Sequence, residues 1–119
     1  MRIFVVDDDA SLRGFVKRWL AAHTRHEVHT FESGEDAVLA LESLAPNLVI
    51  TDLGMPGLSG EDVARAAALL AEKPRIVVMS GDPLRLERAR ELAEAALEKP
   101  FSIKDLLSAL GPAREPVGC

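Results

Sequence analysis

Residues 48–57 have the sequence LVITDLGMPG, in which an apolar run leads to one aspartate and then breaks into glycine and proline. A short, continuous apolar run of this kind is typical of a strand that is buried on both faces of a parallel sheet. Gly54, Pro56 and Gly57 do not favour a longer strand, so a loop begins directly after Asp52. The pattern therefore predicts that the Asp52 carboxylate lies where a buried strand meets a loop.

Four further segments show strand patterns, and apolar residues at helical spacing follow each of the five strands. The predicted strands comprise residues 3–6, 26–31, 48–52, 75–79 and 96–97. The predicted N-caps, whose side chains accept hydrogen bonds from a helix N-terminus, are Ser33, Ser59 and Ser102. This alternation predicts an α/β domain with a doubly wound, five-stranded parallel sheet and helices on both faces.

Three of the predicted helices carry specific expectations. The first begins at Ala10 and has a buried stripe that includes Phe15. The third is expected to end at Pro74, because proline cannot continue a helix. The fourth, within residues 85–94, has a thin apolar stripe and is expected to be mostly solvated.

The length and composition are those of one ordinary globular domain. The chain has 119 residues, of which 48% are hydrophobic and 28% are charged, and this is enough for a single core. We expect residues 1–110 to form the domain. Residues 111–119 contain two prolines and two glycines and are expected to be a flexible tail or the stub of a linker.

The charges, the first residues and the cysteine count exclude several classes of function. There are 19 acidic and 14 basic residues, with no run of lysine or arginine, so direct binding of nucleic acid is not expected. The apolar run at residues 3–6 is too short for a signal peptide or a membrane span, and we expect a cytoplasmic protein without membrane contact. Cys119 is the only cysteine, which excludes a disulfide framework.

Five polar residues follow the predicted strands and should meet at one edge of the sheet, since ligands of doubly wound sheets bind beyond the carboxyl ends of the strands. They are Asp7, Asp8, Asp52, Ser80 and Lys99. Three carboxylates this close would raise each other's pKa unless a cation joined them. Oxygen ligands select a hard ion, and Mg²⁺ characteristically takes one or two carboxylates together with water and phosphate oxygens.

The same residues suit one kind of chemistry. Lys99 offers a point charge for a phosphate group, and Ser80 offers a hydroxyl donor. Phosphoryl transfer needs mainly positioning and charge neutralisation. A carboxylate such as Asp52, beside a divalent ion, a lysine and a hydroxyl, is therefore equipped to accept a phosphoryl group.

Four motifs together resemble the signatures of the receiver domain of two-component response regulators. They are VVDDD at residues 5–9, ITDLGMPG at 50–57, VMSG at 78–81 and EKPF at 98–101. The resemblance extends from residue 2 to about residue 110, a boundary good to a few residues. It implies a flavodoxin-like fold of the receiver type.

The resemblance implies a role for each residue near the acceptor. Asp52 would take its phosphoryl group from a phosphohistidine on a sensor histidine kinase or a histidine phosphotransfer protein. Ser80 would move to donate a hydrogen bond to that group, and Lys99 would bridge to it. Receiver domains catalyse their own phosphorylation and dephosphorylation but act mainly as signalling switches. The conformational change would reach a downstream protein target or a fused domain.

The resemblance also implies a magnesium site. Asp7 and Asp8 would hold Mg²⁺, and Asp52 and the backbone carbonyl of Gly54 would complete the protein ligands. Asp9 is expected to cap the first helix rather than to bind the ion.

The sequence departs from the receiver pattern at three places. Ala96 stands three residues before Lys99, where the family usually carries tyrosine or phenylalanine as a switch. Gly54 stands two residues after Asp52, where larger residues are common. The stretch between Ser80 and Lys99 is slightly short, which affects the expected geometry of the fourth helix.

Two other hypotheses fit part of the pattern. A receiver-like interaction module without phosphorylation would explain Ala96, although all five chemical positions are filled. A small phosphatase of the haloacid dehalogenase type would use Asp7 as its nucleophile. That enzyme needs an acidic pair after Lys99, where only Asp105 and Glu115 remain, and it leaves Asp52 without a role.

Overall fold

Five parallel strands form one sheet in the computed structural model, which describes residues 1–111. The strands are β1 Arg2–Val6, β2 Glu27–Phe31, β3 Leu48–Asp52, β4 Arg75–Ser80 and β5 Ala95–Glu98. Their order across the sheet is β2-β1-β3-β4-β5, and every neighbouring pair is parallel. The predicted doubly wound fold is confirmed. Of the predicted tail, residues 112–119 lie outside the described residues.

Five α-helices connect and cover the strands. They are α1 Ala10–His23, α2 Gly34–Leu44, α3 Gly60–Ala68, α4 Pro83–Arg88 and α5 Ile103–Leu110. The predicted caps Ser33, Ser59 and Ser102 accept hydrogen bonds from their helices. Asp9 caps α1 by accepting from the backbone N–H groups of Ser11 and Leu12, as expected. No helix within residues 1–111 combines the length and apolar character that crossing a bilayer requires.

The sheet has a hydrophobic core on each face, because successive side chains of a strand point to opposite sides. Phe4 and Val6 of β1 pack with residues of α2, α3 and α4. Ile3 and Val5 pack on the other face with residues of α1 and α5. Each of these four side chains is fully buried, which contributes about 1.5–3 kcal/mol per large apolar side chain. The central strands are thus held firmly, and so is the edge of the sheet to which they lead.

The fourth helix is shorter than predicted. The helix α4 ends at Arg88, and a separate 3₁₀ turn, Arg90–Leu92, follows it. Asp82 caps α4 and Pro83 occupies its first turn, so the helix begins before residue 85. The backbone N–H of Glu94 already donates to Ile76 O, at 2.8 Å, which draws the chain into β5. After Arg88 the hydrogen bonds become those of a 3₁₀ turn, in which Leu92 and Ala93 donate to carbonyls three residues back, so the α-helix does not continue.

Two details of helix packing also differ from expectation. The helix α3 ends at Ala68 instead of continuing to Pro74, because Leu69 and Leu70 donate to carbonyls only three residues back and so tighten the last turn. Phe15 lies at the rim of the predicted stripe of α1 and is 39% exposed. Neither difference alters the residues at the carboxyl ends of the strands.

Candidate functional site

The five residues predicted to meet at one edge of the sheet are Asp7, Asp8, Asp52, Ser80 and Lys99, and each stands at or just after the end of a strand. The strands β1, β3, β4 and β5 are consecutive neighbours, so their carboxyl ends lie side by side. The backbone N–H of Lys99 donates to Ser80 O at 2.9 Å, which extends the pairing of β4 and β5 as far as the lysine. The strand order reverses between β1 and β3, where doubly wound sheets form their sites.

Lys99 joins two of the carboxylates. Its Nζ donates a 2.8 Å hydrogen bond to Asp7 Oδ2 and lies 3.1 Å from Asp52 Oδ1. The Asp7 side chain is fully buried, the Asp52 side chain is 9% exposed, and the Lys99 side chain is 26% exposed. The lysine therefore provides the positive charge that two largely buried carboxylates require.

Asp7, Asp8 and Asp52 form a potential metal site. Each offers a carboxylate oxygen, and these oxygens all lie within 4.8 Å of one another. Asp8 is exposed, whereas the other two are buried, so the cluster opens to solvent on one side. Only oxygen donors are present in the cluster, and such a set fits a hard cation such as Mg²⁺. The Gly54 backbone follows the buried Leu53 and is exposed; its predicted role as a ligand stays a prediction.

Burial and nearby charges shift the pKa values of Asp7 and Lys99, which are hydrogen-bonded to each other. Burial raises the pKa of Asp7, and the nearby charge of Asp52 raises it further, while hydrogen bonds from Lys99 and from the backbone N–H of Asp9 oppose the shift. Burial lowers the pKa of Lys99, but its hydrogen bonds to Asp7 and Asp52 more than offset this, and the pKa lies above its usual value. Lys99 therefore stays positively charged at neutral pH.

Access distinguishes the two buried carboxylates. Asp7 Oδ1 accepts from the backbone N–H of Asp9 at 2.9 Å, and Oδ2 accepts from Lys99, so both oxygens are engaged. For Asp52, Lys99 contacts Oδ1, and 9% of the side chain is exposed, whereas the Asp7 side chain is fully buried. A nucleophile needs an oxygen that the incoming group can reach. This difference favours Asp52 over Asp7 as the reacting group and argues against the phosphatase hypothesis.

Ser80 has a hydroxyl that is oriented within the loop after β4. The residue is 6% exposed, and its Oγ accepts a 3.0 Å hydrogen bond from the backbone N–H of Asp82. The hydroxyl hydrogen remains available for another acceptor, since a hydroxyl both donates and accepts. Ser80 thus offers a hydroxyl donor at the same edge of the sheet as Asp52.

Two further features of the site are not visible in the sequence. An ion pair links Arg85 of α4 with Glu61 of α3, residues 24 positions apart. Gly60 packs so closely that a Cβ there would lie 2.0 Å from the backbone oxygen of Asp52. The arrangement of α3 and α4 around β3 creates both features, and no motif or spacing indicates that arrangement.

Ala96 lies on β5 and is exposed. It borders a surface pocket of about 400 Å³, whose lining also includes Leu97, Glu98, Asp105 and Ser108. There is therefore no bulky side chain at this position that could move between exposed and buried places.

We compared the sequence of this chain with a family model and with known proteins. The family model for the response regulator receiver domain matches residues 3–111. A protein-glutamate methylesterase/protein-glutamine glutaminase of Nitrobacter winogradskyi is 31% identical over 118 residues, which cover 92% of this chain and 27% of that protein. The positive alginate biosynthesis regulatory protein of Pseudomonas aeruginosa is 30% identical over 119 residues, covering 98% of this chain and 48% of that protein. The chain thus spans from about a quarter to a half of the length of these relatives.

A solved structure of a receiver domain also matches this chain. The signal receiver domain of a response regulator from Bermanella marisrubri superposes with a TM-score of 0.82 at 36% sequence identity. The match covers 92% of this chain and 93% of that one. The agreement therefore extends over nearly the whole of both chains.

Proposed function

Because this chain belongs to the family of response regulator receiver domains, we propose that its Asp52 is the residue that accepts the phosphoryl group. The observation that carries the proposal is the contact of Lys99 with Asp52 and Asp7, next to a cluster of three carboxylates. The closeness of the Lys99 ammonium group and the three carboxylates supports a single site for the acceptor, the lysine and the metal ligands. Of the two carboxylates that Lys99 contacts, Asp52 is the one that is partly exposed.

The transfer itself is a substitution at phosphorus. An oxygen of Asp52 attacks the phosphorus of a phosphohistidine, the bond between phosphorus and the imidazole nitrogen breaks, and that nitrogen keeps the electron pair and takes up a proton. Lys99 holds the Asp52 carboxylate in place and neutralises charge on the transferred group. The Ser80 hydroxyl donates a hydrogen bond to a phosphoryl oxygen. Positioning and charge neutralisation are the main requirements of this chemistry.

Mg²⁺ is the proposed cofactor. Asp7, Asp8 and Asp52 would hold it, and the Gly54 backbone carbonyl would complete the protein ligands, as the family resemblance implies. The three carboxylate oxygens within 4.8 Å of one another support this assignment. When bound, the ion supplies positive charge to the oxygens of the phosphoryl group. Like receiver domains in general, this one is expected to work in the cytoplasm.

We propose two kinds of partner for the domain. The phosphoryl donor is a sensor histidine kinase or a histidine phosphotransfer protein. The output is either a downstream protein target or a fused domain, and the greater length of the curated relatives supports the second possibility. Phosphorylation would alter the loops that follow Asp52 and Ser80, the last residues of β3 and β4, and through them the surface that a target contacts.

Incubation with acetyl phosphate tests the proposal without knowledge of the natural kinase. Wild-type protein in Mg²⁺ should gain a hydroxylamine-labile phosphoryl group, whereas protein in EDTA and the Asp52→Asn variant should gain none. Asp36→Asn is the matched control, because Asp36 is an exposed aspartate on α2. Incorporation in Asp52→Asn equal to the wild type would contradict the assignment. No incorporation in any sample would favour an interaction module that is not phosphorylated.

A further inference from the structure

Arg85 forms a two-pronged ion pair that links α4 to α3 beside the acceptor. Its Nε lies 2.9 Å from Glu61 Oε2, and its Nη2 lies 3.0 Å from Glu61 Oε1. Glu61 is in the first turn of α3, and its side chain is only 19% exposed. An arginine held by two parallel hydrogen bonds has a defined orientation. The two hydrogen bonds to Glu61 therefore also fix the position of the third guanidinium nitrogen, Nη1.

That nitrogen, Nη1, points toward Gly54. It lies 3.9 Å from the place where a Cβ on Gly54 would stand, and no other atom outside the immediate chain neighbours comes within 4 Å of that place. Gly54 itself has no side chain and is exposed. The guanidinium of Arg85 thus lies beside the position two residues after Asp52.

The charge of Asp52 acts on the same guanidinium. The hydrogen bonds to Glu61 raise the pKa of Arg85 despite partial burial, and the charges of Glu61, Asp52 and Asp82 raise it further. A phosphoryl group on Asp52 would increase the negative charge at this place, since a phosphoryl group carries nearly two negative charges at neutral pH. Arginine also matches the geometry of phosphate oxygens better than lysine does.

We propose that Arg85 binds the phosphoryl group on Asp52 through Nη1, and that Glu61 positions the guanidinium for this contact. The inference rests on the proposed role of Asp52 as the acceptor. Arg85 is then a binding residue for the phosphorylated state, and Glu61 is a positioning residue. The contact would connect the acceptor directly with α4 and make up for the missing side chain at Gly54.

Beryllofluoride, which replaces the phosphoryl group on Asp52, provides the test. Its affinity in the presence of Mg²⁺ is measured by ¹⁹F NMR for the wild type, Arg85→Ala, Arg85→Lys and Glu61→Gln. We expect Arg85→Ala to bind about threefold to tenfold more weakly, as for the loss of one partly exposed charge-assisted hydrogen bond. Arg85→Lys should recover part of the loss, and Glu61→Gln should weaken binding in the same direction but less.

Two controls separate this contact from general damage. Arg88→Ala removes an exposed arginine from the same helix and should leave the affinity unchanged. The affinity of Arg85→Ala for Mg²⁺ alone should also be unchanged, because Arg85 is not a proposed ligand. In the Arg85→Ala background, Glu61→Gln should have no further effect, since Glu61 acts through the arginine.

The outcomes distinguish this inference from the role of Asp52. If the wild type binds no beryllofluoride, or if Asp52→Asn binds it equally well, the assignment of the acceptor is wrong. If binding requires Asp52 but Arg85→Ala binds as tightly as the wild type, only the inference about Arg85 is overturned. Tighter binding by Glu61→Gln would show that Glu61 competes with the phosphoryl group for the arginine, and would overturn the positioning role.

Discussion

Lys99 donates a 2.8 Å hydrogen bond to Asp7, a residue 92 positions earlier in the chain. The two residues follow β5 and β1, and β3 and β4 lie between those strands in the sheet. The lysine side chain therefore reaches back across the carboxyl ends of two strands, and on the way it contacts Asp52. In the protein without a metal ion, the single charge of Lys99 partly balances the two buried carboxylates.

Replacing Lys99 with alanine should show how much its charge stabilises the fold. The variant leaves the buried Asp7 without its cation, and we expect the free energy of unfolding in EDTA to fall by about 1–3 kcal/mol, below the full cost of breaking a buried pair because Lys99 is partly exposed. Mg²⁺ should restore much of the loss and should bind at least as tightly as to the wild type, because the lysine is not a ligand. Urea unfolding with and without Mg²⁺ measures both effects.

Lys104→Ala is the control for this variant, because Lys104 is an exposed lysine on α5. It should behave like the wild type in both conditions. A clear loss of Mg²⁺ affinity in Lys99→Ala would show that the roles of lysine and ligands have been misassigned.

The raised pKa of Asp7 predicts how stability depends on pH when no metal is present. Burial raises this pKa above the ordinary value, so the folded state favours the protonated carboxyl. The stability that Asp7 contributes is therefore complete below its unfolded pKa and is lost as the pH rises through the folded pKa. The isosteric Asp7→Asn variant, which cannot ionise, should be more stable than the wild type at about pH 7, with a gap that closes toward about pH 4.

Urea unfolding of both proteins in EDTA across this pH range measures the effect. Adding Mg²⁺ at neutral pH should stabilise the wild type but not Asp7→Asn, by the linkage of binding to folding. An Asp7→Asn protein that is less stable than the wild type at neutral pH in EDTA would show that the hydrogen bond to Lys99 outweighs burial.

Gly60 should tolerate no side chain. A Cβ there would lie 2.0 Å from the backbone oxygen of Asp52 and 2.8 Å from Leu53 Cα, and neither backbone group can move without shifting the acceptor. We expect Gly60→Ala to lose about 1–3 kcal/mol of stability, as overpacked sites do, and to lose phosphorylation. Gly81→Ala is the control, because a Cβ at Gly81 meets nothing within 4 Å. Thermal unfolding that is the same for both variants would contradict the packing of α3 on β3.

The exposed Ala96 predicts the route of the conformational change. A ligand shifts an equilibrium only through contacts that differ between two states, and Ala96 has almost no side chain to contribute such a contact. The amide chemical shifts that change on adding beryllofluoride should therefore be largest, away from Asp52, in residues 80–86. If they were largest in residues 95–98 and α5 instead, the signal would use a route that does not depend on an aromatic side chain at position 96.

The fold and the five residues of the site could be predicted from the sequence for one physical reason. Asp7, Asp52 and Ser80 each end or follow a buried apolar run, and the carboxyl ends of parallel strands meet at one edge. The ion pair between Arg85 and Glu61 could not be predicted, because it depends on how two helices lie relative to each other. The early end of α4 could not be predicted either, because it depends on a change to 3₁₀ hydrogen bonds after Arg88, which the apolar spacing does not indicate.

The most direct test of the central claim is to identify the phosphorylated residue. Borohydride reduces an aspartyl phosphate to homoserine, and peptide mass spectrometry then locates the converted residue after treatment with acetyl phosphate and Mg²⁺. We expect homoserine at position 52, and none at positions 7, 8 or 9 or in protein treated in EDTA. Homoserine at position 7 would contradict the assignment, because the fully buried Asp7 would then be the nucleophile and Asp52 would not be the acceptor.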